Sequence, residues 1–163
     1  MRISMIRGVC AALLLLCAAT SSIAQVKLNG WDVGKKDGTC VAVYAYQDKD
    51  DDNAANAVVL GLLKAPDGAE VFVMSIFYDK WNNDEDETAD LYFDKQLVLE
   101  EAKWKMHDKH TLVGTFSGAK TLISRLQDTK QIILKFDPKT RAVFDIKSPA
   151  QALGALQQCV AGS

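Results

Sequence analysis

The chain has 163 residues, of which 48% are hydrophobic and 25% charged, and its formal net charge is −2. This length and composition suit one domain with a substantial hydrophobic core, and they exclude a largely disordered chain. The 19 basic residues are dispersed rather than clustered, which argues against nucleic acid or an anionic membrane surface as a partner.

Residues 1–24 have the pattern of a secretory signal peptide. Two arginines begin it, an apolar run follows from Val9 to Ala19, and Ser22-Ile-Ala24 places small residues at a cleavage site. Because the apolar run is shorter than the ~20 residues of a membrane span, we expect cleavage after Ala24 rather than an uncleaved anchor. Residues 25–163 would then be periplasmic or secreted. Their net charge would be −4, because cleavage removes two basic residues and no acidic one.

Cleavage would leave two cysteines, Cys40 and Cys159. Two cysteines in an exported domain usually pair, so the sequence predicts a disulfide bond between them. The bond would close a loop of 119 residues. The chain-entropy relation for such a loop gives a stabilisation of roughly 4–5 kcal/mol. Two separate thiols, one of them catalytic, are the alternative.

The first half of the exported chain alternates apolar runs with polar turns, which is typical of β-strands. The expected strands are 26–33, 39–46, 57–63 and 70–78. In the second of these both faces are apolar, which indicates a strand covered on two sides or one whose aromatic face meets a ligand. The fourth has the length and the β-branched, aromatic content of a central strand.

The second half predicts more strands, at 91–94, 96–106, 111–116, 131–136 and 141–147. Among them the apolar period changes: Ala119, Leu122, Ile123 and Leu126 are spaced i, i+3, i+4 and i+7. This spacing predicts an inserted helix of about ten residues, with Ser117 as its N-cap.

The chain is expected to end in a second amphipathic helix. Ser148 can cap it, Pro149 suits its first position, and Gln151 stands three residues after the cap, as in a capping box. Leu153 and Leu156 fall on one apolar stripe, which continues to Cys159. The helix should therefore pack against a sheet and carry one end of the disulfide bond.

About eight strands, joined mostly by hairpin-length connections, place the chain in the mainly β (β-rich α+β) class. We expect an antiparallel β-sandwich or open barrel with one inserted helix and one C-terminal helix. The sequence contains no linker and no repeat. Residues 25–163 are therefore expected to form a single disulfide-closed domain.

Three short features follow one another in a distinctive order: Trp31-Asp-Val33, a strand at Val143–Ile146, and the pair Ala152-Leu153. Their order resembles that in the invasion-associated locus B proteins of bacterial envelopes. The resemblance implies an exported, β-rich periplasmic domain with a role in envelope interactions. That family carries more cysteines, including a Gly-Cys pair that is absent here, so the resemblance transfers no site residue.

Two acidic loops are candidate metal sites. The alternating aspartates that begin at Asp48 resemble the first half of a calcium loop, but they lack its glycine and its final acid. In the second loop Asp84, Asp86 and Asp90 could gather around a calcium ion. A solvated charged loop is the alternative.

The sequence contains no catalytic motif, so we expect a protein that acts by binding. Large aromatic side chains form its candidate binding surface: Tyr44, Tyr46, Tyr78 and Trp81. If exposed they would make a patch for a protein or a glycan, and if buried they would belong to the core. The expected function is non-enzymatic recognition of a protein partner, including immunity-type or inhibitor-type roles. A calcium-dependent envelope module is the alternative, and an unrecognised hydrolytic enzyme comes third.

Overall fold

The computed structural model describes residues 26–162. The predicted signal peptide and its cleavage after Ala24 lie outside these residues. Ten strands and two helices are present in the described range. The strands are β1 Val26–Leu28, β2 Trp31–Lys36, β3 Thr39–Asp48, β4 Ala54–Lys64, β5 Glu70–Tyr78, β6 Glu87–Phe93, β7 Gln96–Asp108, β8 Thr111–Phe116, β9 Gln131–Lys135 and β10 Arg141–Asp145. The helices are α1 Ala119–Leu126 and α2 Pro149–Ala161.

All ten strands belong to one antiparallel sheet in the order β1-β2-β3-β4-β5-β8-β7-β6-β9-β10. The mainly β fold with an inserted and a C-terminal helix is therefore confirmed. The sheet curls until the β10 end faces the inner side of β2 and β3. The indole N–H of Trp31 donates to the carbonyl oxygen of Lys147 at 2.7 Å, and the backbone N–H of Asp145 donates to the hydroxyl of Tyr46 at 2.9 Å. Because β10 is not paired with β1, the result is an open barrel with a seam.

The sheet has ten strands, one more than the nine intervals predicted from the sequence. The predicted first strand is divided by a tight turn at Asn29 and Gly30, whose φ angles are 50° and 91°. An Asn-Gly pair with both φ angles positive is the preferred two-residue hairpin turn, so β1 folds back on β2. β6 also begins earlier than predicted, because Glu87 pairs with Trp104 of β7.

The inward side chains of the sheet and the apolar faces of both helices form one hydrophobic core. Leu153 and Leu156 of α2 are fully buried, and α2 contacts β2, β3 and β4. The predicted disulfide bond between Cys40 of β3 and Cys159 of α2 is present. The terminal helix is thus docked on the inner face of the sheet, as the sequence predicts. Within residues 26–162, neither helix is long and apolar enough to cross a membrane.

The N-termini of the two helices are not capped in the way that the sequence predicts. Ser148 is the N-cap residue of α2, but its φ of 45° is left-handed and its side chain makes no capping hydrogen bond. Gln151 accepts a hydrogen bond from Asn29 at 2.9 Å instead of completing a capping box. At α1 the N-cap is Gly118 rather than Ser117. In both helices packing of the apolar face, rather than the cap, therefore holds the first turn.

Candidate binding surfaces

Tyr44 and Tyr46 lie on the inward side of β3. Tyr44 is only 8% exposed, and its ring centroid is 5.1 Å from that of Trp31. Tyr46 is half-buried, and its hydroxyl accepts the backbone N–H of Asp145. Burial raises the pKa of Tyr46 to about 12. Both tyrosines therefore help to hold the curled sheet together.

Tyr78 and Trp81 lie at the seam, in a cluster of aromatic rings with Phe136 and Phe144. Trp81 contacts the other three rings edge-on, with centroid distances of 5.6 Å to Tyr78, 5.9 Å to Phe144 and 6.4 Å to Phe136. Tyr78 and Trp81 are half-buried. Of the four predicted binding aromatics, these two line a cleft that opens to the surface.

A short polar network flanks the aromatic cluster. The hydroxyl of Tyr78 donates to Asp51 at 2.5 Å, and Lys80 forms an ion pair with the same carboxylate at 2.6 Å. The hydrogen bond from Lys80, followed by that from Tyr78, lowers the pKa of Asp51. The same network raises the pKa of Tyr78, mainly through its hydrogen bond to Asp51. Asp51 is therefore an ionised, already partnered carboxylate.

The seam cleft has two adjoining chambers. The first is about 230 Å³ and the second about 290 Å³, and both are bordered by Trp81, Phe136 and Thr140. Asn56 of β4 also lines the first chamber and is only 4% exposed. A buried amide against an aromatic-lined cleft is an arrangement typical of ligand sites.

The structure does not gather the predicted calcium ligands Asp84, Asp86 and Asp90 into one site. Asp86 accepts the backbone N–H of Met106 and Asp90 that of Glu101, each at 2.9 Å. These bonds give a partner to backbone N–H groups of β7 at the points where its pairing with β6 and β8 shifts register. In residues 26–162 no group of three or more His, Cys, Asp or Glu side chains is placed to hold a metal ion. The calcium hypothesis stays a prediction.

A different surface comes from the outward side of the central strands, and the sequence interpretation missed it. One row of cross-strand neighbours runs through four strands and joins Val43, Val59, Ser75 and Val113. Neighbouring rows add further half-exposed apolar side chains. We call this surface the outer face; its apolar members are Val41, Val43, Ala57, Val59, Leu63, Val71, Val73, Phe77 and Val113.

Charged residues border the outer face on two opposite sides. The row through Val43 and Val113 ends at Asp32 on β2 and at Lys105 on β7. Between those two ends the row carries three valines and one serine. Both helices pack against the inner face, so no described helix covers this surface. The outer face is therefore an apolar surface bordered by Lys105 on the β7 side and, on the β2 side, by Asp32 in an ion pair with Lys27 at 3.8 Å.

The apolar alternation of residues 39–46 was the signal for this surface. The sequence interpretation allowed either two covered faces or an aromatic face that meets a ligand. In the structure the aromatic side chains face the core, and the valines on the other side are half-exposed. The pattern indicated two apolar faces without indicating which of them stays uncovered.

Comparison with protein-family models and with curated proteins finds no match. Comparison with solved structures finds the crystal structure of invasion associated protein B from Bartonella henselae. That structure matches 85% of this chain and 96% of its own, with a TM-score of 0.55 and 13% sequence identity. Such low identity shows a shared fold alone. At the level of the fold, the predicted distant resemblance to invasion-associated locus B proteins is confirmed.

Proposed function

We propose that this chain is an exported, non-enzymatic binding protein of the bacterial envelope, and that it docks a protein partner on its outer face. The observation that carries the proposal is the uncovered apolar surface of β3, β4, β5 and β8. Export is supported by the pattern of residues 1–24 and by the disulfide bond. The shared fold with a protein described as invasion associated supports a role in the envelope.

The size of the outer face suits a protein rather than a small molecule. Its rows cross six strands from Asp32 to Lys105. With strands ~4.8 Å apart and three outward positions along each strand, the surface measures roughly 24 Å by 20 Å, or about 500 Å². This footprint includes the charged edges; its apolar part covers four strands, roughly 19 Å by 20 Å, which is within the ~300–600 Å² of the largest patch on a typical monomer. One side of a standard protein interface buries about 800 Å², so a docked protein would also contact the surface around the outer face.

The edges define the chemistry of the partner. A folded protein with a flat apolar surface would pack on the valines. Lys103, two residues before Lys105 on β7, is exposed like Lys105. An acidic group opposite these two lysines would fix the partner's orientation, because rim charges set orientation and association rate more than affinity.

The test is a charge placed at the centre of the outer face. Val59→Glu should abolish capture of a protein from envelope extracts by cross-linking. Leu97→Glu should leave capture unchanged, because Leu97 is 44% exposed and pairs with Tyr92 at the β6–β7 hairpin, away from this surface. The captured protein is then purified, and its affinity for both variants is measured by calorimetry.

Thermal melts of both variants must show an intact fold. Ser75→Glu supplies a second central charge without removing an apolar side chain. If Val59→Glu and Ser75→Glu capture the same proteins as the parent, the outer face is not the docking surface. Sedimentation velocity tests whether the outer face instead binds a second copy of this chain. Self-association of the parent that Val59→Glu abolishes would identify that copy as the occupant.

A further inference from the structure

The seam cleft carries a second, independent inference, because it contains a buried polar atom without a partner. Asn56 is the cross-strand neighbour of Tyr46, and its amide interacts with the hydroxyl of that tyrosine. Its carbonyl oxygen, Oδ1, is buried and has no hydrogen-bond partner among the described residues. Leaving such a carbonyl unpaired is unfavourable, because folding removes its hydrogen bonds to water without replacing them. An apolar residue would avoid that cost, so the amide at this position fits a bound hydrogen-bond donor.

The walls of the cleft determine what kind of donor fits. Tyr78, Trp81 and Phe144 touch one another edge-on and together form one apolar wall of the cleft, so an occupant needs an apolar face. The first chamber, at about 230 Å³, has room for one ring with its substituents. The second chamber continues past Trp81, so a second ring could follow the first.

The charges around the cleft balance. Asp48 and Asp51 line it on one side and Arg141 on the other. Asp51 is paired with Lys80, and Asp48 accepts the backbone N–H of Asp50 at 3.0 Å. The side chain of Arg141 forms no ion pair in the described part of the chain. Neither a cation nor an anion is therefore favoured, whereas a neutral molecule with several hydroxyls finds both acceptors and donors.

We propose that the seam cleft binds a neutral carbohydrate unit. A sugar hydroxyl donates to Oδ1 of Asn56, the C–H face of the ring packs on Trp81 and Tyr78, and Arg141 donates to a second hydroxyl. This site lies on the inner side of the sheet, opposite the outer face. Binding of a sugar and docking of a protein are thus separable.

Saturation-transfer NMR on the purified protein tests the proposal. The probes are glucose, galactose, N-acetylglucosamine and their β-linked dimers, with methyl phosphate and N-acetylarginine methyl ester as charged probes. We expect at least one neutral sugar to give transfer from the protein. Trp81 emission should shift with it, because Trp81 is the only half-exposed tryptophan and Trp31 and Trp104 are fully buried.

Two substitutions locate the site, and two others serve as controls. Asn56→Leu should weaken sugar binding by about tenfold or more, because it removes the acceptor from a site built to use it. Asn82→Leu is the matched control, since Asn82 is an exposed asparagine in the loop beside Trp81. It should bind like the parent, as should Val59→Glu. Arg141→Ala, at an exposed position, should weaken binding several-fold and serves if Asn56→Leu does not fold.

The melting temperature separates binding from packing. Asn56→Leu should melt at or above the parent while binding less sugar. The proposal is overturned if no neutral sugar gives transfer, or if Asn56→Leu and Arg141→Ala both bind like the parent. It is also overturned if only the arginine ester gives transfer, because the cleft would then take a basic side chain.

Discussion

Leu156 offers the sharpest test of how the terminal helix holds the fold. It is fully buried on α2, and Cys159, one turn later, is tied to Cys40 of β3. Leu156→Ala shortens a side chain that packs between the helix and the sheet. Gln157→Ala, at the next position, alters an exposed side chain and serves as the control.

The magnitude follows from what the substitution removes. Three buried carbon groups at ~0.8 kcal/mol each give a transfer loss of about 2.4 kcal/mol. The disulfide bond limits how far α2 can move to fill the space, and a residual cavity of about 40 Å³ would add about 1 kcal/mol. We therefore expect Leu156→Ala to lower the free energy of unfolding by about 3–4 kcal/mol. Gln157→Ala should change it by no more than about 0.5 kcal/mol.

Urea unfolding of both variants, with the disulfide bond intact and tryptophan fluorescence as the probe, measures the difference. Trp31 and Trp104 are fully buried, so their emission reports loss of the core. The m-value should match that of the parent, because the surface exposed on unfolding hardly changes. If the two variants unfold at the same urea concentration, α2 does not stabilise the sheet through Leu156 and the reasoning fails.

Three further predictions concern the stability of the fold, measured by urea unfolding or by thermal melting. Replacing both Cys40 and Cys159 by serine should lower the free energy of unfolding by roughly 4–5 kcal/mol, and mass spectrometry of the unreduced parent should show the loss of two hydrogens; two freely alkylated thiols in the native protein would contradict the bond. Because the pKa of Tyr46 is raised from 10.0 to about 12, its contribution is complete below pH 10 and is lost as the pH rises from 10 to 12. Tyr46→Phe should therefore lose less melting temperature over that range than the parent, and equal losses would exclude this role. A calcium site at Asp84, Asp86 and Asp90 requires the melting temperature to rise with calcium; since Asp86 and Asp90 bond separate backbone groups, we expect no shift at millimolar calcium, and a clear rise would support the calcium site.

The sequence predicted best those elements whose limits are set locally. The bounds of β5 and β8 agree with the predicted 70–78 and 111–116, because turns stand directly outside each apolar run. The prediction of one strand over residues 26–33 was wrong, because the hairpin turn at Asn29-Gly30 divides it into β1 and β2. The start of β6 depended on pairing with Trp104, which lies beyond any local pattern.

The candidate sites depended on tertiary structure and were harder to predict. The alternation in β3 indicates two apolar faces, but only the docking of α2 decides that the cysteine and tyrosine side faces the core. Asn56 sits among apolar residues in β4, and nothing in its neighbours along the chain shows that its carbonyl oxygen lacks a partner. That property arises where β4 faces the β10 end of the curled sheet.

The two proposed sites differ in how binding relates to stability. Successive residues of a strand point to opposite faces, so Val43 can contact a partner while Tyr44 packs in the core. Substitutions on the outer face should therefore remove binding with little change in unfolding free energy. The seam cleft instead uses inward positions, where an unpaired carbonyl at Asn56 works against the packing around it. Asn56→Leu should therefore weaken binding and raise the free energy of unfolding. Replacing a residue that only fills the core would instead lower the free energy of unfolding, so the sign of the change distinguishes a site maintained for a ligand.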